Sequence, residues 1–198
     1  MRQRIEDAIA AAEATSRAEL VAVIAKRAGD YRATGLALST IGSFVAGVAV
    51  WLLLPWSSTS EVLLSEFGIF LTLLALLELT SLGDALTPRH FKTEAARRLA
   101  RATFLEQGLA GTTERNAVLF FVSLAEHHVE IIADCGVDGK VPAGQWQNIV
   151  DTFTAKVKAG EVEAGYLGAI AALKDILTAH FPSGGTSHNE LGNRLVEL

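Results

Sequence analysis

Apolar residues are spread unevenly along this chain. Between Thr34 and Leu82 they form two near-continuous runs, and the segments on either side read as ordinary globular protein. From Gly35 to Leu54 the sequence GLALSTIGSFVAGVAVWLLL contains no charged residue. At about 1.5 Å per residue, roughly twenty helical residues cross the hydrocarbon core of a bilayer. A buried helix of this length in a soluble protein would show a polar stripe, and none is present. Pro55 closes the run, and Trp51 and Trp56 suit a water–lipid boundary. A second span is predicted over Leu63–Leu82, with FGIFLTLLALL at its centre. The short polar loop Ser57-Ser58-Thr59-Ser60-Glu61 forces the two spans into an antiparallel hairpin, so both outer ends face one compartment. The competing reading is a soluble protein with a buried helical hairpin.

Outside this region the periodicity changes. Ile5, Ile9 and Ala12 fall on one helical face, which Thr15 and Ser16 interrupt, and Ala18–Ala25 is a strand-length apolar run. After the hairpin, Lys92–Gln107 reads as a helix stopped by Gly108 and Gly111. Ala117–Leu124 is apolar on both faces, as a central strand covered by helices would be. His128–Asp134 alternates and should pair beside it across a turn at Ala125-Glu126-His127. Pro142 opens a helix carrying Trp146, Ile149, Val150, Phe153 and Val157 on one face. A last helix starts at Glu161 and carries Tyr166, Ile170, Leu173 and Leu177. The expected organisation is therefore residues 1–33 as the first helix and strand, 34–86 as the membrane hairpin, 87–181 as the remainder of the domain, and 182–198 as a disordered tail rich in Ser, Gly, His and Asn. This order fits an α/β fold: a small mixed sheet covered by helices on both faces, interrupted by a two-helix transmembrane hairpin.

Charge orients the hairpin. Lys26, Arg27 and Arg32 precede the first span, and Arg89, Lys92, Arg97, Arg98 and Arg101 follow the second, whereas the connection carries only Glu61 and Glu66. The positive-inside rule then predicts an inner-membrane protein with both termini cytoplasmic. The net charge of −5 argues against nucleic acid as a partner. The one cysteine, Cys135, cannot form an internal disulfide, and its place at the end of an apolar strand predicts a packed thiol. In the first span Gly35, Ser39, Ser43 and Gly47 recur every four residues and share one helix face. That is a helix-packing surface for the second span or for another copy, unless it reflects only the composition of membrane helices. Glu78 is a carboxylate at the far end of the second apolar run, without a Lys, Arg or His partner in either predicted span. It marks either an ion pathway or an early exit from the bilayer.

Several segments resemble the TPM domain family. Thr15-Ser16-Arg17-Ala18-Glu19-Leu20-Val21-Ala22-Val23 is similar to the start of its first strand. Thr113–Ser123, around Asn116-Ala117-Val118-Leu119, resembles the next strand, and His128–Gly136 its hairpin partner, ending in a glycine. Trp146 through Tyr166 and Leu167, with Gly160-Glu161 and Gly165-Tyr166, is similar to the two closing helices. The resemblance implies an α/β sandwich, calcium binding by carboxylates at one end of the sheet, and an acid phosphatase activity found in a plastid relative. The chain departs from the typical pattern in having its anchor inside the domain, and in charges that point inward.

Hard cations need several oxygen ligands. Glu114, Asn116, Asp134 and Asp138 are the candidates, because strand ends in a hairpin lie side by side; Asp138-Gly139 reads equally well as a plain turn. The pair His127-His128 has no further ligands at zinc spacing and is expected to be solvated. Neither a phosphate-binding glycine loop nor a nucleophile motif is present. The expected function is a membrane-tethered interaction module for the assembly or quality control of other membrane proteins, or for self-association. The alternative is a metal-dependent, calcium-binding hydrolase of the acid phosphatase type.

Overall fold

The structure is a computed structural model that describes residues 2–54, 56, 58–80, 82–182 and 195–198. The chain divides into two compact units, Met1–Ala28 with Thr93–Leu198, and Gly29–Lys92. The first unit is built on a mixed four-stranded sheet in the order β3-β2-β1-β4. Strand β1 (Glu19–Ala25) pairs in parallel with β2 (Ala117–Ser123), from Glu19 opposite Ala117 to Ala25 opposite Ser123. Strand β3 (His128–Ala133) returns antiparallel on the outer side of β2. His127 turns that hairpin with φ 50, a left-handed conformation of the kind tight turns use.

Alternation along the central strands gives each face its own core. Leu20, Ala22, Val118, Phe120 and Val122 point to one side and pack with α1 (Arg2–Glu13), α7 (Ala143–Lys158) and α8 (Val162–His180). Val21, Val23, Ala25, Leu119 and Phe121 point to the other and meet Ala96, Ala100 and Phe104 of α5 (Arg89–Glu106) and the buried Leu109. A strand buried on both sides has to be apolar throughout, which is why β2 reads AVLFFVS. Phe120, Phe153 and Tyr166 meet edge to face, with ring centroids 5.0 to 5.6 Å apart.

The turn after α1 is tied to the end of α8. The Ser16 hydroxyl donates to Phe181 O at 3.1 Å and accepts from Ala18 N at 3.0 Å, while Arg17 N donates to Phe181 O at 2.9 Å. Glu13, the last residue of α1, is buried. Its Oε1 accepts from Leu20 N at 3.2 Å, and its Oε2 has no hydrogen-bond partner among the described residues. Burial pushes this carboxyl up to about 8, with the Leu20 N–H opposing the rise and the charge of Glu19 adding to it.

The tail departs from expectation. Residues 195–197 form strand β4 (Leu195–Glu197), parallel to Ala22–Ile24 of β1. Leu195 is buried in the core, and Leu198 N donates to Ile24 O. An apolar Leu-Val pair at a free sheet edge outweighs the polar composition before it. The expected disorder over 183–194 lies outside the described residues, and Pro182 bridges to Ser16.

In the second unit, α2 (Arg32–Leu53) packs along α3 (Thr59–Leu79), and the short α4 (Leu82–Leu86) follows. Helix α3 starts four residues before the predicted span. Ser58 and Glu61 form a capping box, in which Glu61 Oε2 accepts from Ser58 N at 2.8 Å and Ser58 Oγ accepts from Glu61 N, and this draws Thr59–Val62 out of the loop. Glu78 is not without a partner: Arg32 Nε lies 3.2 Å from its Oε2. Arg32 lies ahead of the predicted span but is the first residue of α2, and the antiparallel pairing brings it level with Glu78. Gly35, Ser39, Ser43 and Gly47 are the buried positions of α2. A Cβ on Gly47 would stand 3.2 Å from the Glu66 carboxylate, and one on Gly42 would stand 3.0 Å from Leu73 Cδ1. The hydroxyls of Ser39 and Ser43 donate back to Gly35 O and Thr40 O of their own helix. Close backbone approach, rather than hydrogen bonding between helices, is what the small residues provide.

Two outcomes follow. A carboxyl whose folded pKa lies above its unfolded value stabilises the fold most at low pH, and that contribution is lost as pH rises from the unfolded value toward about 8. Glu13→Gln should match the wild type near pH 4 and exceed it by roughly 5 kcal/mol near pH 9. Denaturant midpoints of the full chain in detergent measure this, and parallel curves across that range would rule out a proton held on Glu13. For the hairpin, Gly47→Ile should cost about 1–3 kcal/mol of packing between α2 and α3. The yield of a disulfide between Gly42→Cys and Leu73→Cys, with Cys135→Ser, should then fall several-fold, while Gly47→Ala leaves it near the starting value. An undiminished yield with isoleucine would show that the small residues do not set the approach.

Candidate functional site

The expected cation ligands cluster by chain position at one end of the sheet, where β1 and β2 begin and β3 ends. Antiparallel pairing sets Val118 opposite Ala133, and Asp134 N donates to Ala117 O at 2.9 Å, so Asn116 and Asp134 flank the same edge. Their hydrogen bonds and ion pairs, however, are made with cations and backbone. Glu114 Oε1 lies 3.3 Å from Arg17 Nη1 at the surface. Asn116 is buried, and its side-chain amide donates to Arg17 O. Asp134, also buried, caps α6 (Cys135–Asp138) by accepting from Cys135 N at 2.7 Å through Oδ1. Its Oδ2 is 2.9 Å from Arg115 Nε, an ion pair lying off the hydrogen-bonding direction. Asp138 ends α6 as an exposed residue, with its N–H bonded to Asp134 O.

The 112–116 loop explains why arginine reaches this place. Arg115 adopts φ 53, and its N–H bonds Thr112 O while its Nη1 donates to Ala110 O at 2.9 Å. Gly136 closes on the same loop. Its N–H donates to Arg115 O, and a Cβ there would stand 2.5 Å from that oxygen and 2.9 Å from Glu114 O. Only glycine fits such an approach. Cys135 is exposed, not packed, because the strand stops at Ala133 and Asp134 turns the chain into α6. The Arg115 guanidinium is raised further above its ordinary pKa by a hydrogen bond with Cys135 and by the charge of Asp134. Sequence reading missed Arg17 and Arg115 as parts of this edge. The signal in the sequence is the place of Arg115 between Glu114 and Asn116, and of Arg17 two residues before β1.

Calcium would need several unclaimed oxygens in one place. Among the described residues no three His, Cys, Asp or Glu side chains are grouped to hold a metal ion, and two guanidinium groups occupy the edge where the ligands were sought. The residues present do not fit that cation. What the arrangement does is join three loops electrostatically: Arg17 to Glu114 and Asn116, and Arg115 to Asp134. Of the histidine pair, His127 is exposed as expected, whereas His128 is half-buried with Nε2 3.2 Å from Glu130 Oε2. That hydrogen bond, opposed by partial burial and aided by the charges of His128, Arg97 and Arg101, holds Glu130 below the usual carboxylate range. Gly35, Ser39, Ser43 and Gly47 remain packing positions of the hairpin.

Comparison with known proteins bears on this arrangement. No curated protein matches the chain. Among solved structures it is similar to the BA42 protein of the psychrophilic bacterium Bizionia argentinensis, determined by NMR, with a TM-score of 0.61, 16% identity, and coverage of 100% of this chain and 92% of that one. At that identity the likeness is one of fold. Residues 85–176 match the family model described as the TPM domain. The match begins after the apolar hairpin, and β1 lies before it in sequence yet pairs along the full length of β2. The matched segment supplies β2, β3, α5, α7 and α8, while β1, β4 and α1 complete the mixed sheet and its cover from outside it, so the TPM domain match extends over residues 85–176 and the fold over the whole sheet.

Proposed function

We propose that this chain is an integral inner-membrane protein whose TPM domain, held on the cytoplasmic side, acts as an interaction module in the assembly or quality control of other membrane proteins. The observation that carries the reading is the exposure of the two apolar helices. Within their most apolar stretches only 17% and 0% of residues are buried. Phe44, Trp51, Leu53, Leu64, Phe67 and Leu79 are each at least 60% exposed, a surface that suits hydrocarbon and not water. A core helix of a soluble protein would bury these side chains. A cleaved leader is opposed by the residues ahead of α2, since α1 and β1 supply Ile5, Ile9, Leu20 and Val23 to the two cores. Both flanks of the hairpin are basic and its connection is acidic, which supports termini on the cytoplasmic side. The phosphatase alternative draws less support, because the carboxylates it would need are paired with Arg17 and Arg115.

Fusion of a reporter at the C-terminus should report the cytoplasm, and a tag inserted after Trp56 should be reached from outside spheroplasts. The reverse pattern would overturn the orientation. Purified protein in detergent should show no calcium-stimulated hydrolysis of a generic phosphate ester above that of an Asp134→Ala variant. Metal-dependent turnover abolished by that substitution would replace the interaction reading with the hydrolase.

A further inference from the structure

Helix α5 covers one face of the sheet with one side only. Ala95, Ala96, Ala100, Thr103 and Phe104 are buried, and Arg97, Arg98, Arg101 and Leu105 are exposed. At 3.6 residues per turn the exposed set, with Glu94 and Phe91, falls within an arc of about 120°. The helix carries five Lys or Arg against two Glu, in a chain whose net charge is −5. Arg97 and Arg101 lie close enough to Glu130 to lower its pKa, yet neither they nor Arg98 forms an ion pair within 4 Å among the described residues. On the same arc Phe91 is 56% exposed and Leu105 is 65% exposed. A row of unclaimed guanidinium groups beside large exposed apolar side chains does not suit bulk water. It suits an interface where phosphate oxygens lie above hydrocarbon.

From these observations we infer that the outer face of α5 docks on anionic phospholipid headgroups, with Arg97, Arg98 and Arg101 on the phosphates and Leu105 in the acyl boundary. The inference rests on the membrane anchoring proposed above, which supplies the proximity. Helix α5 begins at Arg89, and the second apolar helix ends at Leu79, so the short tether keeps this helix near the bilayer surface at high effective concentration. Clusters of four or more basic residues just cytoplasmic of a spanning helix are attracted by acidic leaflets, and the attraction decays within a Debye length. Guanidinium groups also pair with phosphate in two-pronged fashion. The docked face would hold the TPM domain flat against the leaflet and leave α7 and α8, on the opposite face of the sheet, turned toward the cytoplasm.

The test uses the full chain with Leu105→Cys in a Cys135→Ser background. It is reconstituted in vesicles of phosphatidylcholine alone or with about a third phosphatidylglycerol, a fraction that gives a strongly negative surface. Labelling by a water-soluble maleimide should be about ten-fold slower in the anionic vesicles, and about 0.5 M salt should remove the difference. Arg97→Gln/Arg98→Gln/Arg101→Gln should remove it too, and Arg98→Gln alone, which leaves the neighbours of Glu130 in place, should reduce it. A control cysteine at Gln145 on α7, exposed on the other side of the sheet, should label equally in both lipids. Resistance to alkaline extraction is scored on the same vesicles. A chain that washes off refutes the anchoring reading. One that stays embedded while Leu105→Cys labels equally in both lipids overturns the docking inference alone and leaves the arginine face to an acidic protein partner.

Discussion

The parallel pairing of β1 with β2 is the interaction on which the rest of this structure depends. Parallel strands cannot be joined by a tight turn and need a crossover. Here the crossover contains the apolar hairpin as well as α5. Both cores draw on the two strands together, since Leu20 and Phe120 serve one face while Val23 and Phe121 serve the other. Any segment inserted between them has to bring the chain back to where it left. An even number of antiparallel helices does so, and a single helix of this length would not.

The end of the sheet shows how fold and charge are linked. The sheet register brings buried Asp134 alongside the first residues of β2, where an isolated carboxylate would be costly. The left-handed turn at Arg115 and the close approach of Gly136 bring a guanidinium to it. Arg17 does the same for Glu114 from the start of β1. The edge is thereby a junction between three loops whose charges are largely matched among themselves. That is suited to fixing shape, and less suited to gripping a divalent cation.

Much of the fold was legible in the sequence because its elements have strong periods. The uniformly apolar run of β2, the 3.6-residue spacing of α7 and α8, and the uncharged stretch of α2 each admit few alternatives. The family resemblance was legible from the order of weak motifs. Three things were not. Strand β4 is three residues long and sits beyond a polar stretch, so no period identifies it. The start of α3 was set by the side chains of Ser58 and Glu61, which also read as loop residues. The arginine partners of Glu78 and Asp134 depended on pairings across many residues, which no local pattern encodes. Topology gathers candidate ligands at a strand end, but whether their oxygens are already claimed depends on side-chain pairings between distant loops.

The position of the hairpin also sets an order of events during synthesis. Strand β1 leaves the ribosome before α2 and α3, and β2 leaves after them. Glu19 waits for Ala117 while both apolar helices are made. On the membrane reading, a strand apolar on both faces must stay unpaired until the second helix has returned the chain to the same side. A hairpin inserted by one helix only would strand β1 and β2 on opposite sides of the bilayer. Completion of the sheet is then a record, written into the soluble unit, that the chain was not left with a single crossing.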